Sequence, residues 1–210
     1  MSLVLYDNPA SSNAMKVRFL LAELELGYER RSVPLARPRP ADYVARYPFG
    51  TIPFLEDGDL ALGESNAILR YLANREGRSD LYPVQPGIRA RVDWALDAWS
   101  TQLRGGLYPA ERIGLMHIDI EQGGGDPADA DQTQLAQALD GARSRLDLLE
   151  AFIADNGTVT GSFTIADCAM APVLWRWYRL PVDFAAWPKV ARLRDTVTAR
   201  PSFQAIGLVG

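Results

Sequence analysis

The chain has almost none of the two residue types on which most metal and thiol chemistry rests: its 210 residues include one cysteine, Cys168, and one histidine, His117. A single cysteine closes no internal disulfide and builds no thiolate cluster. A single histidine leaves neither a His-rich zinc site nor a Cys–His pair, so no resident metal and no cysteine-protease chemistry are expected. Also missing is any run approaching the roughly 20 apolar residues of a membrane span. The opening MSLVLYDNP has neither the basic start nor the apolar run of a signal peptide, so a cytoplasmic chain with no membrane partner is expected. Charge of neither sign dominates: 22 Lys and Arg against 26 Asp and Glu leave a net charge of -4. Such a surface repels nucleic acid at long range, and no nucleic-acid partner is expected. What is present is 48% hydrophobic residues, 10% of the chain being aromatic, which is ample for a packed core in one large or two small domains.

Two textures divide the chain. In the first eighty residues strand and helix signals alternate. LVLY (3–6) is a short apolar strand; MKVRFLLAELEL (15–26) carries Val17, Leu20, Leu21 and Leu24 at helical spacing, with Gly27 as its stop. YERRSV (28–33) alternates as a second strand, and the Pro- and Arg-rich stretch 37–50 reads as a loop with a short helix. PFLE and LALG flank a DGD turn as a hairpin, and SNAILRYLANREG (65–77) is a helix closed by Gly77. Because crossovers between parallel strands are right-handed and local, the order βαβ-α-ββα predicts a four-stranded mixed sheet. From residue 88 the segments 88–103, 130–154, 165–180 and 189–206 all repeat every three to four residues, which predicts a helical bundle. The expected division is therefore an α/β domain over 1–80, a linker over 81–87 and an all-α domain over 88–210. GGGDPADAD (123–131) reads as a mobile connection within the bundle.

Three places in the first domain carry chemistry. Pro53 opens a strand where a ladder donor belongs. A cis Ile52–Pro53 bond would turn the backbone groups of Ile52 outward to pair with an extended peptide ligand; the plainer alternative is a trans proline on an edge strand. Ser65 reads as the N-cap of the helix 65–77, at the positive end of its dipole. Its hydroxyl and amide suit a carboxylate, and Glu64 beside it suits an ammonium, which together describe an amino-acid head group. Ser11 or Ser12 stands at the start of the first helix. With no histidine nearby as a base, a serine nucleophile is disfavoured, and a hydroxyl that donates to a ligand thiolate fits better; simple capping is the alternative in both places. In the second half, Thr164 and Asp167 have the spacing of a helix N-terminal capping box. Cys168 reads as a small core residue and His117 as a surface or packing residue.

The blocks LYDNPASSNAMKVRFLLAELEL, YPFGTIPFLEDGDLALGESNAILRYLA, GSFTIADCAMAPVL and AAWPKVARLRDTVTARPSF together resemble the cytosolic glutathione transferase (glutathione S-transferase) superfamily, in a serine-type, bacterial-like form. The resemblance covers nearly the whole chain, and its most specific parts are the Ile-Pro dipeptide and the ESxAI block. It implies a thioredoxin-like first domain that binds glutathione. It also implies that Ser11 is the catalytic serine, with Ser12 and, more weakly, Tyr6 as alternatives, that Ile52 and Pro53 hold the cysteinyl part, and that Glu64 and Ser65 hold the γ-glutamyl end. Thr51 stands where many members carry lysine or glutamine, and Tyr47 where many carry asparagine. For the glycyl end Arg39 or Arg37 is then a possible cation, with a solvated arginine as the alternative.

The activity implied is attack of a glutathione thiolate on a small apolar electrophile, with glutathione as co-substrate and no metal. Tyr108, Trp99 and Met116 are expected to line the electrophile pocket, with Trp94 and Trp175 also available, although aromatics at helical spacing are commonly core. The other readings are a glutathione-dependent reductase, isomerase or dehalogenase on the same scaffold, and a non-catalytic glutathione-binding or interaction protein. In several classes of the family an aromatic equivalent to Phe49 inserts between helices of the partner's second domain, which implies a homodimer here.

Overall fold

The computed structural model describes residues 3–116 and 124–206; His117 lies outside the described residues. Strand β1 (Leu3–Asp7) leads into helix α1 (Ser12–Glu23), β2 (Tyr28–Ser32), α2 (Ala41–Arg46), the hairpin β3 (Phe54–Asp57) and β4 (Leu60–Leu62), and α3 (Ser65–Arg75). The sheet order is β2-β1-β3-β4. β1 runs parallel to β2 with Leu3 opposite Tyr28, and antiparallel to β3 with Leu5 opposite Leu55. This is the four-stranded mixed sheet that the alternation predicts, in the thioredoxin-like form that the resemblance implies. The pleat sends Leu3 and Leu5 into the main core with Val17, Leu20, Leu69 and Leu72. Val4 and Tyr6 go to the opposite face, into a smaller cluster with Tyr43, Tyr47, Ile52 and Phe54.

The second part is all-helical: α4 (Pro86–Ala98), a π-helical stretch (Trp99–Leu103), α5 (Arg104–Gly114), α6 (Gln132–Phe152), α7 (Ile165–Trp177), α8 (Pro188–Thr198) and α9 (Pro201–Gln204). The periodic segment 88–103 thus starts two residues earlier and runs through the π stretch into α5. The segment 189–206 is two helices, because Pro201 cannot continue the first. Residues 127–129 form a 3₁₀ turn capped by Asp126, and Gln132 Nε2 donates back to Pro127 and Ala130. Between α3 and α4, Leu81 and Tyr82 are buried, and the Leu81 carbonyl accepts from Ile165 across to α7.

Helix α1 packs against α3 on one side and α7 and α9 on the other, and every residue from Ala14 to Leu21 is buried, Lys16 and Arg18 included. It ends at Glu23, with Leu24 as its C-cap, rather than running to Gly27. Glu25 takes the left-handed conformation (φ 55°), with Leu26 N–H bonded to Leu21 O at 2.9 Å and Glu25 N–H to Ala22 O at 3.1 Å. That is the usual glycine-terminated stop made with a glutamate. At the end of α3 the expected glycine is used: Gly77 has φ 64°, and Arg78 N–H returns to Ala73 O. At the head of α7 the Thr164–Asp167 box is present, the carboxylate accepting from Thr164 N–H at 2.7 Å and also from Val159 N–H at 2.8 Å. Burial pushes the Asp167 carboxyl up to about 6 against the pull of those amides. Cys168 is a buried core residue, and burial raises its thiol. No described helix is long and apolar enough to cross a membrane.

Candidate functional site

The ends of β1, β3 and β4 and the starts of α1 and α3 form the candidate site. After β1 the chain is turned by a buried Asn8, whose side chain donates to Val33 O at 3.0 Å and accepts from Ala10 N–H at 2.9 Å, while its carbonyl accepts from Ser11 N–H at 3.0 Å. These bonds fix Ser11, not Ser12, as the N-cap of α1. Ser11 Oγ accepts from Ala14 N–H at 3.3 Å. A hydroxyl oxygen used as an acceptor still has its proton to donate, so capping and donation outward are compatible. Ser12 is the first helical residue, half-buried.

The Ile52–Pro53 bond is cis. The ladder of β3 begins at Phe54, opposite Tyr6, so Ile52 lies outside the strand pairing. Thr51 beside it is exposed, and its hydroxyl donates to Tyr47 Oη at 2.9 Å; that hydroxyl in turn reaches Glu64 Oε1 at 3.5 Å. Tyr47 stacks on Phe54 with ring centroids 4.8 Å apart. It also passes so close to the chain that a Cβ on Gly63 would meet its ring at 2.5 Å. Tyr47 therefore joins Thr51 to Glu64, a role that sequence reasoning missed because the residue was read only as a departure from asparagine.

The cap of α3 falls one residue before the expected place. Glu64 is the cap, with φ 58° and ψ 106°, and makes no side-chain capping bond; Ser65 is the first helical residue and is buried. A non-glycine residue held at positive φ costs about 1–3 kcal/mol, and such residues concentrate where geometry serves a ligand. Among the described residues no side chain caps the first turn, so its N–H groups remain at the positive end of the helix.

Behind these residues lies a set of buried charges that the sequence did not disclose. Lys16 Nζ donates to Asn66 Oδ1 at 2.6 Å, and Asn66 Nδ2 donates to Leu96 O at 3.0 Å and Ser100 Oγ at 2.8 Å in the helical domain. Burial brings the Lys16 ammonium down to about 7, opposed by the nearby Glu64 carboxylate and assisted by Arg104 and Arg70. Arg18 donates to Pro9 O at 3.0 Å, and Arg176 of α7 donates to Ala10 O at 2.5 Å. The two carbonyls before Ser11 are thus each held by a buried guanidinium.

Other expected residues go elsewhere. Tyr6 points to the far face of the sheet, donating to Glu56 at 3.2 Å and accepting from Arg31 at 2.9 Å, because the pleat sends it away from α1. Arg39 is not a solvated arginine: its Nε donates to Gly50 O at 3.1 Å and its Nη1 to Pro34 O and Ala36 O at 2.6 and 3.0 Å, tying the 34–39 loop to the residue before Thr51. Arg37 precedes a second cis proline, Pro38. Trp99 is packed in the core rather than open to a pocket. Tyr108 is exposed under the Arg104 guanidinium, 5.1 Å from its ring centre, and Met116 is half-buried beyond α5. Trp94 is exposed on another face, against Phe152 at 4.8 Å, and Trp175 is half-buried against the core. Of the three residues expected to line the electrophile pocket, Trp99 is therefore core, while Tyr108 is exposed and Met116 half-buried. The described residues contain no group of His, Cys, Asp and Glu able to hold a metal ion.

The family model for the glutathione S-transferase N-terminal domain matches residues 5–80, and that for the C-terminal domain matches residues 113–201. The chain is 35% identical to glutathione S-transferase 3 of Zea mays over 96% of this chain and 91% of that protein. It belongs to the glutathione S-transferase superfamily. A glutathione S-transferase superfamily member of known structure, the theta class enzyme of Xanthomonas axonopodis pv. citri with glutathione bound, superimposes with a TM-score of 0.82 at 26% identity, covering 97% of this chain and 95% of that one. A relative with a different name, the stringent starvation protein A homolog of Coxiella burnetii, is 28% identical over 97% of this chain and 90% of its own length. The superfamily fold accounts for the meeting of strand ends, cis proline and helix starts at one edge of the first domain.

Proposed function

We propose that the chain is a cytoplasmic, homodimeric glutathione transferase that conjugates glutathione to small apolar electrophiles. The observation that carries the reading is the Ser11 turn, in which the hydroxyl oxygen is occupied by Ala14 N–H and the hydroxyl proton remains to donate at the positive end of α1. In this reading the cysteinyl backbone of glutathione pairs with Ile52, its γ-glutamyl carboxylate meets the Ser65 amide and hydroxyl, and its ammonium meets Glu64. Thr51, Tyr47 and the Arg39-braced loop border the glycyl end. The sulfur then lies beside Ser11. A free thiol ionises near 8.5; the donor and the helix dipole favour the thiolate, which attacks the electrophilic carbon. A carbon–sulfur bond forms, the leaving group departs with the electron pair of its broken bond, and the thiol proton has already gone to solvent. The protein supplies proximity and the ionised nucleophile.

The test is calorimetric titration of glutathione together with turnover of an aryl halide, in wild type and in Ser11→Ala. Loss of a hydrogen bond to a charged group, about 1.5–3 kcal/mol, raises the bound thiol's pKa by roughly one to two. Turnover at neutral pH is then expected to fall about tenfold or more. Unchanged turnover and thiol ionisation in Ser11→Ala, with both changed in Ser12→Ala, would move the role to Ser12. Failure of wild type to bind glutathione would end the reading. The likeness to the stringent starvation protein A homolog keeps a second reading in play, a non-catalytic glutathione-binding protein; tight binding without turnover across a panel of halides, disulfides and isomerisable substrates selects it.

A further inference from the structure

Resting on the reading that the ligand's sulfur lies beside Ser11, we propose that Arg176 is a positioning residue for the thiolate: from the helical domain it holds the Ala10–Ser11 peptide and sets a buried positive charge behind the Ser11 hydroxyl. Arg176 is 1% exposed, and its Nη2 donates to Ala10 O at 2.5 Å, one peptide unit from the N-cap of α1. A guanidinium does not enter a protein interior without compensation, since an unpaired buried charge is expensive. Here the compensation is incomplete. Glu111, fully buried on α5, faces Arg176, but it is also the partner of Arg104, whose Nη1 lies 3.1 Å from it. That one carboxylate, ion-paired with Arg104, offsets Arg176 only through its field.

The same imbalance recurs on the other side of the turn. Arg18 and Arg30 both pair with Asp7, at 3.6 and 2.5 Å, and Arg18 holds Pro9 O. The Nε of Arg18 and the Nε of Arg176 make no hydrogen bond among the described residues. Two clusters, each with one more guanidinium than carboxylate, thus converge on the two carbonyls that precede Ser11. Other cations facing Arg176 are Arg104, Arg18 and Arg179. Burial lowers the Arg176 guanidinium to about 10, with Glu111 opposing, so it stays charged at neutral pH. Among the described residues the two clusters are short of negative charge, and a thiolate at Ser11 supplies it. The guanidinium is buried and engaged by Ala10 O, so its effect runs through the field and through the fixed Ala10–Ser11 peptide.

The experiment measures two quantities in wild type, Arg176→Met, Arg176→Gln and Arg176→Lys. They are the apparent pKa of the bound glutathione thiol, from its ultraviolet thiolate absorbance, and the dissociation constant of S-methylglutathione, which has no sulfur proton to lose. Arg176→Met removes charge and donor, Arg176→Gln keeps a donor, and Arg176→Lys keeps the charge. Losing a unit charge a few ångströms beyond contact, in a partly screened interior, is expected to raise the thiol's pKa by about 0.5 to 1.5 in Arg176→Met and Arg176→Gln. Arg176→Lys is expected to restore most of it, with S-methylglutathione affinity within about threefold of wild type throughout. Equal thiol pKa in Arg176→Gln and Arg176→Lys overturns the proposal, and this pair decides even where Arg176→Met does not fold. A parallel loss of S-methylglutathione affinity overturns it too, because the residue then merely shapes the loop. Wild type that binds neither ligand ends the functional reading and this inference with it, whereas wild-type binding with an unshifted thiol in Arg176→Gln ends the inference alone.

Discussion

Phe49 is 77% exposed in a loop between α2 and β3, with the Tyr47 ring packed edge-to-face against it at a centroid separation of 5.6 Å. A phenylalanine so placed is expected to be covered in a homodimer. The candidate receiving site on a second copy is a cavity of about 330 Å³ between α4 and the end of α6 of the helical domain, bordered by Arg91, Trp94, Phe152 and Val159. Trp94, at its rim, is itself 64% exposed. Full burial of a phenylalanine side chain is worth about 1.5–3 kcal/mol, and roughly a quarter of this one is already covered, leaving about 1–2 kcal/mol per ring. A two-fold dimer buries the ring twice, so Phe49→Ala is expected to weaken dimerisation by about 2–4 kcal/mol, or some thirty- to thousandfold. Sedimentation velocity from nanomolar to tens of micromolar protein reads this directly. Trp94→Ala is expected to weaken the dimer as well, and the double variant to be little worse than either single one, since ring and cavity form one contact. A wild type that is monomeric at tens of micromolar, or a Phe49→Ala dissociation constant within about threefold of wild type, refutes the reasoning; additive effects leave Phe49 in some other interface.

Ser65→Ala is expected to weaken glutathione by about 1–3 kcal/mol, because a hydrogen bond to a carboxylate is lost while the α3 amides remain; isothermal titration checks it, and equal affinity removes Ser65 from the γ-glutamyl site. Lys16 supplies a pH dependence of stability whose sign follows from its burial. Its ammonium is brought down from 10.5 to about 7 in the fold, so between those values the unfolded chain binds more protons and stability rises with pH. Relative to Lys16→Met, wild type is expected to gain about 2 kcal/mol between pH 7 and 9 in urea unfolding; a flat difference means that Lys16 keeps its charge through Asn66 and Glu64.

The parts of this molecule that were legible in the sequence are those decided over a few neighbouring residues. The alternation of LVLY and of PFLE and LALG around a DGD turn is a property of a pleated strand, and it placed β1, β3 and β4 to within a residue. The capping box and Gly77 at the end of α3 are likewise local, whereas the residues around Pro53 left cis and trans both open. Errors of one step arose where two local solutions compete. Ser65 is a good cap by type, but Glu64 at φ 58° takes the position, and Glu25 stops α1 before Gly27 can. Tyr6 and Trp99 failed for a different reason: which face of a strand or helix meets the core depends on partners far along the chain.

The buried cations are the extreme case. On an isolated helix, Lys16 and Arg18 belong on a solvated face, and nothing within α1 says otherwise. They are enclosed because α7 and α9 cover the side of α1 that the sheet and α3 leave open, and α7 brings Arg176 to the same turn. The field at Ser11 is therefore a product of the packing of the two domains. A sequence reading that assigns the ligand site to the first domain alone finds the hydroxyl and misses the charges behind it.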